Sequence, residues 1–149
     1  MARVYVIENP VAKVLYTVDH AVGRGGANRR DDVLLVQFFL KVISESKAIY
    51  KPAGQPPITC DGQWGKISQA YLNEFILVNS GVNPGQPLTA DGRVDPVVGG
   101  KFTGAISGNM YTILALNRVY QHSRTNQALD DITKDPLFPA DLRPSIKIQ

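Results

Sequence analysis

The sequence predicts a mainly α fold, in which a three-helix core follows an N-terminal β-hairpin and carries small β elements. Three observations predict it. Apolar residues recur at helical spacing in three separate stretches, near 32–46, 66–79 and 110–124. Two runs rich in Val, Ile and Tyr, at 3–7 and 12–18, flank the turn residues Glu8-Asn9-Pro10-Val11 and read as a hairpin. Between the helical stretches, Gly and Pro cluster in connectors that break helices, because proline lacks an amide donor and clashes with the preceding turn. On this reading the 149 residues form one domain: the hairpin at 1–22, a helical core at 29–124 and an extended C-terminal segment at 125–149.

Each element has its own justification. Gly23 to Asn28 is read as a flexible loop, since its glycines allow backbone angles that other residues avoid. Asp31 or Asp32 can then cap the first helix, a short carboxylate accepting from the unpaired first-turn amides. Val33, Val36, Gln37, Leu40 and Ile43 set its inner face, and Phe38 and Phe39 widen it. The second helix presents Ile67, Tyr71, Leu72, Phe75 and Val78 and is expected to pack on the first. Gly99, Gly100, Gly104 and Gly108 suggest a loop before the third helix, which Ser107 or Asn109 would cap and which ends near 122–124. Beyond Asp130, Pro136, Pro139 and Pro144 argue against helix, while Ser145-Ile146-Lys147-Ile148 alternates as a short strand able to pair with the hairpin.

Composition excludes several classes of function. Sixteen Lys and Arg against thirteen Asp and Glu leave a net charge of +3, dispersed along the chain and unlike the clustered footprint of a nucleic-acid binder. Cys60 is the only cysteine, so there is no intramolecular disulfide and no zinc-binding cluster of Cys and His. The opening MARVYVIENP lacks the apolar core of a secretory signal, and no run is long enough to span a bilayer. The expectation is synthesis in the cytoplasm, without membrane insertion.

The chain also repeats itself. Ile58-Thr59-Cys60 leads into Asp61-Gly62, then Ser68-x-x-x-Leu72-Asn73; Leu88-Thr89-Ala90 leads into Asp91-Gly92, then Thr112-x-x-x-Leu116-Asn117. An Asp-Gly turn reverses the chain, and a hydroxyl residue near the following helix start can satisfy its exposed amides.

The first of these units carries a family resemblance. Asp61-Gly62-Gln63-Trp64-Gly65, followed by Ser68 and Phe75, resembles the signature of peptidoglycan-binding-like domains, and Val33, Val36-Gln37 and Leu40 resemble that family's first-helix segment. The likeness covers about residues 29–78. It departs where Tyr71 replaces a small residue, Ser68 replaces Thr and Ile76 replaces Gln, and the linker between the helices is longer. Asp91-Gly92-Arg93-Val94-Asp95-Pro96 with 112–117 is similar to a second segment of larger bacterial members. The resemblance implies non-catalytic binding of peptidoglycan or a related cell-wall polymer. The alternative it leaves open is a structural or protein-interaction module of a phage tail or contractile secretion assembly, whose machinery would carry the chain out of the cell.

The candidate ligand-binding residues are Asp61, Gly62, Trp64, Gly65, Arg29 and Arg30. Trp64 either stacks on a sugar ring or covers the small core, and Asp61 either meets ligand or forms the turn. Arg29 and Arg30 either grip carboxylates of wall peptides or line a solvated helix entrance. Neither Gly23–Asn28 nor Gly99-Gly100-Lys101-Phe102 completes a nucleotide-binding loop. Cys60, His20 and His122 form no recognisable catalytic or metal-binding pattern, although Asp19 beside His20 is a faint metal signal. The pairs Asp31-Asp32 and Asp130-Asp131 suit capping or surface roles better than acid–base work. No enzyme activity, cofactor or metal is expected.

Overall fold

The computed structural model describes residues 3–8, 12–85, 87–97, 105–106, 109–124 and 131–148. In chain order these form β1 (Arg3–Glu8), β2 (Ala12–Thr17), β3 (Val22–Gly23), α1 (Arg30–Ser46), α2 (Lys66–Val82), β4 (Arg93–Val94), β5 (Ala105–Ile106), β6 (Asn109–Met110), α3 (Thr112–Ser123) and β7 (Lys147–Ile148). The protein is mainly helical with small β elements, as its periodicity predicts.

The first two strands pair antiparallel, Arg3 opposite Thr17 and Glu8 opposite Ala12. The C-terminal strand joins the same sheet in parallel beside β1, giving the order β2-β1-β7. The pairing expected for the last residues is therefore present. The described part of the C-terminal segment before that strand, 131–146, is not simply extended. Residues 132–134 and 140–145 form 3-10 turns that drive Ile132 and Leu142 into the core. Pro144 fits within the second because a short 3-10 turn makes few demands on backbone amides.

At the centre lies α1. Val33 to Leu40 are buried without a break, so the helix is enclosed on all sides rather than half-exposed, the arrangement expected when a helix is hydrophobic all round. It touches α2, as predicted, but packs more extensively against α3. There Phe38, Phe39 and Tyr120 meet with ring centroids 5.2 to 5.7 Å apart, and Phe138 closes the group edge-on against Phe38. Tyr71, where the family resemblance leads one to expect a small residue, is buried; its hydroxyl donates to Pro56 O at 2.8 Å and so ties the long linker to α2.

Three local expectations are corrected. Asp32 does not cap its own helix, since the N-cap position is Arg29 and makes no side-chain cap bond. The Asp32 carboxylate is buried and reaches back to accept from Asp19 N at 2.8 Å and His20 N at 3.0 Å, locking the exit of the hairpin onto α1. Nor is the Gly-rich segment flexible in form: Val22 and Gly23 pair with Val94 and Arg93, and Asn28, at φ +50, accepts from Gly23 N and donates to Gly23 O. The third helix begins at Thr112, with Tyr111 as its N-cap, because Asn109 and Met110 are taken up by β6 opposite β5. Ser107, Gly99, Gly100, Gly104, Gly108, Lys101, Phe102, Asp130 and the turn at 9–11 lie outside the described residues.

Candidate functional site

The candidate residues gather where α1 and α2 begin. Asp61-Gly62 forms a tight turn in which Asp61 Oδ1 accepts from Gln63 N at 2.9 Å and Gly62 sits at φ +76. A side chain at Gly62 would meet strained backbone and also Arg30, whose Nη1 lies 2.6 Å from the position of an added Cβ. Arg30 crosses the turn, donating from Nη1 to Asp61 O at 2.7 Å and from Nη2 to Asp141 at 2.9 Å. It is a brace between the turn and the C-terminal segment, so its fork is already engaged. Arg29, one residue earlier, is exposed.

Beneath the turn lies the residue that organises it. Gln37 is fully buried on α1, and its Nε2 faces Asp61 Oδ1 (3.1 Å), Gln63 O (2.9 Å) and Ser68 Oγ (3.0 Å). Its Oε1 accepts from Gly62 N at 2.9 Å. A single amide thus fixes both the turn and the first turn of α2. The sequence pattern marks Gln37 as part of the first-helix segment but not as the partner of Asp61-Gly62, because that contact spans 24 residues of chain. The amide contacts also hold the Asp61 carboxyl below the usual carboxylate range, the Gln63 amide contributing most.

Trp64 covers part of the core. Its ring is half-buried and packed against the core, and Nε1 donates to Gln69 Oε1 at 2.8 Å. The indole donor is therefore occupied internally, and only part of the ring is open for stacking. Gly65 is the exposed N-cap of α2 and supplies no side-chain cap.

The second Asp-Gly turn repeats the geometry of the first. Gly92 sits at φ +66, and Asp91 Oδ1 accepts from Arg93 N at 3.1 Å. Here too a helix glutamine holds the turn: Gln69 Nε2 donates to Gly92 O at 2.9 Å while its Oε1 receives Trp64. Gln69 consequently joins the two turns through Trp64. A shallow cleft of about 240 Å3 opens beside the second turn, lined by Arg24, Asn73, Ile76, Leu77, Ala90 and Gly92.

The remaining reactive groups lie elsewhere. Cys60 is half-buried against the core, and burial pushes its thiol up to about 11. At pH 8 such a thiol holds roughly a hundredfold less thiolate than one at the ordinary 9.0, so alkylation by iodoacetamide is expected to be slower than for a free thiol by about that factor. Alkylation at the free-thiol rate would show that burial does not suppress the Cys60 thiolate. His20 Nδ1 stands 3.7 Å from both Asp19 Oδ2 and Asp32 Oδ2, and the Asp32 oxygens already accept from the backbone amides named above. Among the described residues no group of three or more His, Cys, Asp and Glu is placed to hold a metal ion, and no helix is long and apolar enough to cross a membrane. No family model, curated protein or solved structure matches the chain.

Proposed function

We propose that the chain is a non-catalytic binding module for peptidoglycan or a related bacterial cell-wall polymer, and that the turn at 61–65 is its contact surface. The observation that supports this reading most is the buried amide of Gln37, which holds the Asp61-Gly62 turn in one conformation at the protein surface. A preorganised turn loses little entropy when it meets a repeating polymer. Asp61, Gln63 and Gly65 remain exposed along its outer edge, with Arg29 and Lys66 supplying positive charge at the two helix starts. Amide and carboxylate groups of wall peptides match that mixture of donors, acceptors and charge. The motif residues behind the resemblance to peptidoglycan-binding-like domains are the same ones that build the turn.

A second reading has its own support. The Trp64 indole is committed to Gln69, and Ile49, Leu77 and Val82 expose 62%, 69% and 59% of their surface. A structural or protein-interaction module of a phage tail or contractile secretion assembly would use such apolar side chains in place of a sugar platform.

Cosedimentation of the purified protein with insoluble peptidoglycan across a salt series separates the two. The wall-binding reading expects saturable pelleting that Arg29→Glu weakens by about tenfold, as charge reversal at a carboxylate contact should. Arg29 is a cleaner probe than Trp64, because Trp64→Ala also removes core packing. If the unaltered protein stays in the supernatant at low salt, the wall reading fails and the interaction-module reading takes its place.

A further inference from the structure

Arg24, inside the Gly-rich segment, stands over the second Asp-Gly turn. Its backbone N donates to Gly92 O at 3.0 Å, next to the pairing of Val22 and Gly23 with Val94 and Arg93, so the root of the side chain is fixed. From there the side chain reaches Gly92. A Cβ added at that residue would lie 3.5 Å from Arg24 Cζ and 3.3 Å from Asn73 Oδ1. The missing side chain of Gly92 therefore leaves one space that the Arg24 guanidinium and the Asn73 amide both face, within the cleft of about 240 Å3.

The donors in that space are open. Arg30 is spent as a brace at the first turn, but Arg24 is exposed, and among the described residues its guanidinium has no hydrogen-bond or ion-pair partner. The two acids of the turn, Asp91 and Asp95, face Arg93 instead, at 3.9 and 2.9 Å. The orientation of Asn73 follows from Trp64. An indole N–H can only donate, so Gln69 must present Oε1 to Trp64 and turn Nε2 toward Gly92 O and Asn73. Asn73 must then accept through Oδ1 at 2.9 Å, which leaves the two N–H groups of its Nδ2 for a ligand. A cation with a planar fork and an amide donor thus share one opening.

We propose that this cleft is a second contact of the module, taking a free carboxylate of the wall peptide while the turn at 61–65 meets the same polymer. The inference rests on the wall-binding reading. The Arg24 fork donates to the two carboxylate oxygens and Asn73 Nδ2 adds a further bond. Ala90 and the exposed Leu77 offer apolar surface to the carbon that carries the carboxylate. One exposed arginine holds a carboxylate weakly by itself, but a polymer already seated on the first turn presents its carboxylate at high local concentration. A single glutamine amide separates Trp64 from Gly92, so one polymer segment can meet both turns.

The test is cosedimentation of the full chain with insoluble peptidoglycan, either untreated or with its carboxylates converted to amides. Arg24→Gln is expected to weaken pelleting with untreated wall about fivefold to tenfold and to leave the unfolding temperature unchanged, since the side chain is exposed. Asn73→Asp keeps the acceptor for Gln69 but offers Arg24 an internal carboxylate, and should weaken pelleting at least as much. On amidated wall the unaltered protein and Arg24→Gln should pellet alike. Equal pelleting of all three proteins on untreated wall would overturn this second contact and leave the wall reading standing. An Arg24→Gln loss that persisted undiminished on amidated wall would do the same. Failure of the unaltered protein to pellet at low salt would remove both.

Discussion

Replacing Gln37 with leucine is expected to lower stability by about 2–6 kcal/mol, read as a lower midpoint in urea unfolding. The side chains are of similar size, so the cavity term is small and the loss is electrostatic. Four groups face the Gln37 amide. Asp61 and Gln63 are exposed and can turn to water, but Gly62 N and Ser68 are buried and cannot. Each buried group left without its partner costs about 1–3 kcal/mol, which sets the range. For a chain of this length the unfolding temperature should fall by about 4–24 °C, at about 2–4 °C per kcal/mol. Gln37→Glu should do no better, because a carboxylate keeps the Gly62 contact and can accept from Ser68 but is buried facing the Asp61 carboxylate and the Gln63 carbonyl, to which it cannot donate. A change below about 1 kcal/mol for both variants would mean that water replaces the amide and that the turn does not depend on it.

What the sequence made legible follows from the range of each interaction. The hairpin, the three helices and the positive-φ glycines at 62 and 92 are local features, governed by side-chain periodicity and by the absence of a Cβ. They can be read from a few neighbouring residues. The two Asp-Gly units were likewise visible as spacing, and both Leu72 and Leu116 prove to be fully buried at matching positions. The contact of Arg30 with Asp61 and Gly62 was not legible, although all three were candidate site residues. Nothing in the spacing brings residue 30 to residue 61, and neither does it show that Arg30 is bound to Asp141.

The capping expectation for Asp32 failed for the same reason. A carboxylate in a first helical turn ordinarily serves its own amides, but here the hairpin exit delivers two backbone donors from residues 19 and 20 to the same place. Likewise the glycines at 23–26 suggest mobility until the partner strand at 93–94 is seen. Long-range pairing decides what a permissive segment becomes.

That principle underlies the second large effect, expected at Asn117. Its side chain is buried on α3 and engages the main chain of β2 from the side: Oδ1 accepts from Tyr16 N at 2.9 Å and Nδ2 donates to Tyr16 O at 2.7 Å. The same Nδ2 also donates to Ile113 O at 2.8 Å. Since β2 stands at the edge of its sheet, Asn117 substitutes for a neighbouring strand and covers the edge where backbone groups are otherwise open. Asn117→Leu removes the acceptor of one buried backbone donor and the donor of its carbonyl together, so a loss of about 2–4 kcal/mol is expected. The effect should also be positional. Hydrogen exchange at the Tyr16 amide is expected to accelerate more than exchange at the core amides of α1, because the edge contact is released before the helices separate. If the Tyr16 amide instead stayed as protected as α1 while stability fell, the asparagine would be a packing element and the sheet edge would be held by other contacts. Asn73, four residues after Gln69 on α2, occupies the equivalent place in the first Asp-Gly unit but is exposed and only accepts from Gln69. Two copies of one pattern have therefore taken different tasks: one asparagine helps brace the turn surface, and the other fastens the hairpin to the helices.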